Sequence, residues 1–180
     1  MRFPRINGSG CWLFKFSNEN GMNSVLKQGP WMVNGKPMMM KRWDTEIGFE
    51  KVEHDNLPIW VKFTKVPMKA WTVEGLSAIA SSIGIPIIMD AMAAMICHNV
   101  VGRTEYSRIL VEVDAKKEFK NQIELQYRDK NQTVKGTKIV MVEYDWKPVA
   151  CSHCGVFGHE FKQCTKRVRI EEEIKEMQAV

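Results

Sequence analysis

Residues 151–164, CSHCGVFGHEFKQC, gather three of the chain's five cysteines and a ligand-spaced histidine into one short run. No other stretch limits the local backbone so tightly. Cys151, Cys154, His159 and Cys164 follow the spacing C-x2-C-x4-H-x4-C. Three thiolates and one imidazole fill the tetrahedral shell that zinc prefers and leave no open position for water or substrate. The expectation is one structural zinc, without hydrolytic chemistry. Gly155 lets the chain turn back over the metal, and Gly158 gives the bend that delivers His159. So short a segment cannot fold on apolar burial alone, whereas zinc binding contributes about 10–16 kcal/mol in comparable peptides. His153 is the spare histidine, expected to face solvent. An odd cysteine total, clustered in this way, indicates metal binding in a reducing compartment rather than a disulfide framework. Cys11 and Cys97 are expected as free thiols.

The 180 residues can bury one good core or two small ones. With 44% hydrophobic and 26% charged residues, the composition is that of a globular protein. No run of eighteen apolar residues occurs, so no ordinary spanning helix and no membrane partner are expected. The start, MRFPRINGSG, lacks an apolar signal-peptide core. An intracellular location is expected, with nucleus and cytoplasm undistinguished. The formal charge of +5 favours an acidic partner. Its excess concentrates near the cysteines, where Lys147, Lys162, Lys166, Arg167 and Arg169 face a single acid, Glu160.

The expected fold class is α+β, in five segments. Residues 1–43 form a partial N-terminal α/β unit. In it, CWLFKF (11–16) is a strand with Trp12, Phe14 and Phe16 toward a core. Ser17 caps a helix reaching Lys27 and stopped by Gly29-Pro30, and 36–43 is another strand. Residues 44–56 are a charged linker. Residues 57–146 hold an antiparallel sheet unit with the outline of an RNA-recognition (ferredoxin-like) fold. Its first strand ends at Pro67, and Thr72 caps a helix with Val73, Leu76, Ile79, Ala80 and Ile83 at helical spacing. Gly84 ends that helix, 85–90 is a short buried strand, 107–114 alternates strictly, and 122–146 reads as a hairpin. Residues 147–169 are the cysteine cluster with its basic flank. Residues 170–180 are a short helical or frayed tail, and a helix there would offer a surface for a protein partner.

The pattern C-x-x-C-G-x-x-G-H-x-x-x-x-C holds at every fixed position of 151–164 and resembles the zinc knuckles of retroviral nucleocapsids and related retroelement proteins. The resemblance implies single-stranded nucleic-acid binding, with knuckle side chains stacking on an unpaired base. Phe161 and Phe157 could each offer a ring there, or pack onto the knuckle or Trp146. The usual aromatic after the first cysteine is replaced by Ser152, which weakens the expectation of a guanine pocket. A broader resemblance runs through GPWMVNGKPMMMKRW, LPIWVKFTKVPMKAW, IASSIGIPIIMD, SRILVEVD and VEYDWKPVACSHCGVFGH. In that order these segments look like a plant family that joins a domain of unknown function to one zinc knuckle. Its members are similar to the first-reading-frame protein of LINE-type retrotransposons. What this implies is an RNA- or single-strand-binding protein of transposon origin, not a polymerase.

In an RNA-recognition fold the second residue of the first-strand motif is a base-stacking aromatic, and Trp60 stands there. Alternation places Trp60, Lys62 and Thr64 on one face and Ile59, Val61 and Phe63 on the core side. The third strand would show Arg108, Leu110 and Glu112, with no aromatic pair. Cys97-His98 lacks an orienting acid, the methionine runs at 38–40 and 89–95 read as apolar filler, and no common catalytic motif occurs. The function expected is non-catalytic, zinc-dependent binding of single-stranded nucleic acid, RNA favoured over DNA. Phosphates would meet Lys147, Lys162, Lys166, Arg167 and Arg169, with stacking by Phe161, Phe157 and Trp60. The alternative is a protein-interaction module in which knuckle and tail helix grip another protein.

Overall fold

The computed structural model describes residues 5–6, 12–28, 31–34, 36–44, 53–99, 105–128 and 133–168. Cys11, the Gly29-Pro30 stop, most of the 44–56 linker, Arg169 and the 170–180 tail lie outside the described residues. The chain is mixed α and β, with antiparallel sheets and a C-terminal Cys/His cluster.

The N-terminal part holds two small ribbons and one helix. Strands β1 (Arg5–Ile6) and β2 (Trp12–Leu13) pair antiparallel. Helix α1 (Glu19–Gln28) follows. Its first turn is capped by Asn18, whose Oδ1 accepts from the Gly21 N–H at 2.7 Å, one residue after the expected Ser17. Strands β3 (Trp31–Val33) and β4 (Lys36–Met38) form a hairpin, and its turn puts Asn34 at φ 51°. Asparagine tolerates that left-handed backbone better than other residues with a side chain beyond Cβ. The Trp31 indole N–H donates to the Val25 carbonyl at 2.8 Å and ties hairpin to helix. Of the aromatics expected on a core face of 11–16, only Phe16 is half-buried. Trp12 is 53% exposed and Phe14 is also exposed, because a two-residue strand has no third layer to cover them.

Residues 56–144 build one five-stranded sheet from β5 (Asn56–Thr64), β6 (Ile85–Met89), β7 (Tyr106–Asp114), β8 (Gln122–Arg128) and β9 (Val134–Tyr144). The strand order is β6-β7-β5-β9-β8, with every neighbouring pair antiparallel. β5 and β6 are therefore parallel, with β7 between them, and helix α2 (Val73–Ser81) makes the crossover. Thr72 caps α2 as expected, its Oγ1 accepting from the Gly75 N–H at 3.0 Å. Alternation along β5 and β7 sends Ile59, Val61, Phe63, Ile109, Val111 and Val113 into one core with Leu76, Ile79, Ala80 and Ile83. Val73, at the start of the helix, is exposed instead.

Two features differ from the expectation. Strand β6 lies at the sheet edge, where Ile85, Ile87 and Ile88 are exposed, so 85–90 is not a buried strand. Helix α3 (Ala91–Asn99) follows it directly, with the Ala93 N–H donating to Asp90 Oδ1 at 2.8 Å. It contributes Ala93 and Ile96 to the core. Between β7 and β8 only 115–121 intervene, and they form no helix.

Candidate metal centre

The chain leaves β9 at Tyr144 and runs through Trp146 and Ala150 to the first cysteine. A tight turn follows: the Gly155 N–H donates to the Cys151 carbonyl and the Cys151 N–H to the Val156 carbonyl, each at 2.9 Å. Gly155 at φ 66° and Gly158 at φ 106° adopt backbone that a side chain would strain. These glycines turn Cys151, Cys154 and His159 toward one point. A short 3-10 turn at Phe161–Gln163 then brings Cys164 to the same point.

The four ligand atoms all lie within 4.8 Å of one another, and His159 Nε2 is 3.3 Å from Cys154 Sγ. Metal–sulfur distances of about 2.3 Å around a tetrahedron put ligand atoms roughly 3.8 Å apart, so the cluster closes on an ion with small adjustments. Cys151 and Cys164 are buried. These four residues can hold a metal ion, and the donor set is consistent with one zinc. Cys151 is held down to about 6. Desolvation opposes this, but N–H groups of Cys154 and His153 and the Cys154 and Cys164 thiols outweigh it. Cys154 is pushed up, first by desolvation and then by its hydrogen bonds with Cys151 and Cys164. One thiol thus ionises readily, and a bound cation would displace the remaining protons. His153 stays outside the cluster, exposed, with Nδ1 3.7 Å from Cys164 Sγ.

The two phenylalanines of the run have opposite fates. Phe161 is 46% exposed on the rim of the cluster, its ring 4.7 Å from the Arg167 guanidinium and edge-on to His153. Arg167 Nε also donates to the Phe161 carbonyl at 3.0 Å. Phe157 is only 7% exposed and belongs to the core of the large sheet. Its ring is therefore not offered to a base, which corrects that expectation. Its N–H donates to the His54 carbonyl at 2.8 Å, forming a β-bridge to the chain just before β5.

The basic flank is only partly open. Lys162 is exposed beside Phe161. Lys147 Nζ donates to Asn121 Oδ1 at 3.0 Å and lies 5.2 Å from the Tyr144 ring centre. Lys166 is paired with Glu53, which raises the lysine's pKa. Both are turned first toward the protein.

Trp60 lies on the face of the large sheet away from the helices, half-buried, with the Arg108 guanidinium 4.5 Å over its ring. On the same face Lys62 Nζ is 5.8 Å from the Tyr106 ring, and Asp145 pairs with both Lys62 and Arg108. Tyr106 was not anticipated. It pairs with Thr64 at the first position of β7 and continues the alternation of Arg108, Leu110 and Glu112 one step earlier. A strand started at Ser107 misses it. Leu110, expected on the open surface, is buried between its cross-strand neighbours Trp60 and Ile88.

The family described as Domain of unknown function (DUF4283) matches residues 5–51, the segment that carries β1 to β4 and α1. No curated protein and no solved structure matches the chain. Among the described residues no helix is long and apolar enough to cross a membrane.

Proposed function

We propose that this chain is a non-catalytic, zinc-dependent binder of single-stranded nucleic acid, RNA in preference to DNA, of retrotransposon origin. One observation carries the reading: Phe161 stands exposed at the rim of the Cys/His cluster, with Arg167 against its ring and Lys162 beside it. An aromatic face bordered by cations suits an unpaired nucleotide, whose base stacks while its phosphate meets the charge. The metal's part is to hold the short loop that presents this ring. The sheet face with Trp60 and Tyr106 supports the same reading, since an RNA-recognition-like sheet binds bases on aromatics placed there. The matched family supplies a domain class and no activity.

Fluorescence anisotropy of a labelled single-stranded RNA, titrated at two salt concentrations, tests the proposal. Binding that weakens steeply with salt and is lost on chelation is expected. Absence of binding at low salt, or binding insensitive to salt, would favour the protein-interaction reading instead.

A further inference from the structure

The helices cover only part of the large sheet. α2, the turn that follows it and α3 supply Leu76, Ile79, Ala80, Ile83, Ala93 and Ile96, while the β8–β9 side faces a connection with no helix. That side still has apolar residues to bury: Ile123, Val140 and Val142 are all in the core. The same core cluster takes in Phe157 from the metal-binding run, with Phe119 of the β7–β8 connection packed against it. The two rings lie 6.5 Å apart, and Phe119 sits edge-on to Tyr144 at 4.9 Å.

Four contacts fasten the cluster. The Phe157 N–H bonds to His54, and Lys166 pairs with Glu53 just before β5. The Gly158 N–H donates to the Val149 carbonyl at 2.8 Å. Gly155 lies against Lys116, whose side-chain carbons would come within 2.8 Å of any added Cβ. Phe157 also stands between two ligands, three residues after Cys154 and two before His159. A run this short takes its shape from its metal, so the position of the Phe157 ring depends on the ion.

We infer that the metal-bound loop is the missing layer of the sheet's core, and that metal occupancy decides whether the β8–β9 side is closed or open. By linkage, the sheet unit must then tighten metal binding by the same factor as the metal stabilises the sheet unit. The inference rests on the metal reading of the cluster and holds whatever the chain binds.

Hydrogen exchange on the full chain, with zinc and after chelation, tests it without any nucleic acid. On chelation, protection at Ile123, Val140 and Val142 should fall on the order of ten-fold or more. Phe157→Leu, which keeps an apolar plug, should hold zinc against a competing chelator nearly as the parent does. Phe157→Ala should lose it at a lower chelator concentration, with the β8–β9 side less protected even when zinc is bound. A cluster that takes up no stoichiometric zinc overturns the inference. So does chelation that leaves β8–β9 protection unchanged, or Phe157→Ala matching the parent in both measurements. If Phe157→Ala fails to fold, the chelation arm on the parent chain still decides.

Discussion

Phe161 and Phe157 share a residue type and a short loop, yet their surroundings assign them opposite tasks. Phe161→Ala removes an exposed ring whose ring contacts are with Arg167 and His153 rather than with the four ligands, so zinc stoichiometry should be unchanged. Single-strand affinity should fall on the order of ten-fold or more, since a stacked base contributes about 1–3 kcal/mol. Elemental analysis beside an RNA titration separates the two, and loss of zinc would make the ring structural. Lys162→Ala should weaken binding to all sequences alike and reduce the salt slope by about one unit. Lys166→Ala should do less to the slope, because its ammonium is already engaged by Glu53. Tyr144 gives a pH signature. Burial pushes its phenol up to about 12, from an ordinary value of 10.0. The native state therefore holds this proton more tightly than the unfolded chain. The resulting stability is complete below pH 10 and is lost as pH rises toward about 12. Spectrophotometric titration should show a phenol ionising late, near pH 12, and its absence would contradict the packing described for Tyr144.

Single elements show which physical signals are local and which are not. Helix α2 was legible because its cap, its apolar spacing and its terminal glycine all lie within its own sequence. That glycine has a second task. A Cβ on Gly84 would come within 2.0 Å of the Glu112 carbonyl oxygen of β7, so the helix exit and the strand touch backbone to backbone. Gly84→Ala should cost about 1–3 kcal/mol by overpacking, read as a lower urea midpoint. An unchanged midpoint would mean that the exit moves freely. The ligand set was equally legible, since four donor residues at fixed spacing need no tertiary information. Strand β6 was harder: an apolar run has the same composition in a central strand as at an edge, and only the strand order distinguishes them. Helix α3 was missed because AMAAMICHN is apolar around its circumference and shows no stripe, although Asp90 ahead of an alanine-rich turn was a usable start signal. The N-terminal aromatics looked like core because they are large and apolar, but a two-residue strand gives them little to pack against.

For the molecule as a whole, the decisive contacts join segments that are far apart in sequence. No local pattern could show that Phe157 meets His54, or that Lys166 meets Glu53. Those pairings make the cysteine run part of the sheet's own architecture, a relation that lies beyond motif spacing. They also impose an order in time. Contacts between distant residues cost loop-closure entropy before they bring any gain, so they form late and slow the overall reaction. A chain emerging from its N-terminus can complete β5, α2, β6 and β7 while Cys164 is still unmade. The β8–β9 side must wait, its apolar residues uncovered, until the last ligand arrives. Refolding should therefore show a final phase whose rate rises with zinc concentration, seen as late burial of apolar dye-binding surface. A single phase indifferent to zinc would place closure of the core before metal capture. During synthesis, then, the metal would join only after the strands it covers are made, and a chain short of metal would keep a half-covered sheet rather than become a folded protein with an empty site.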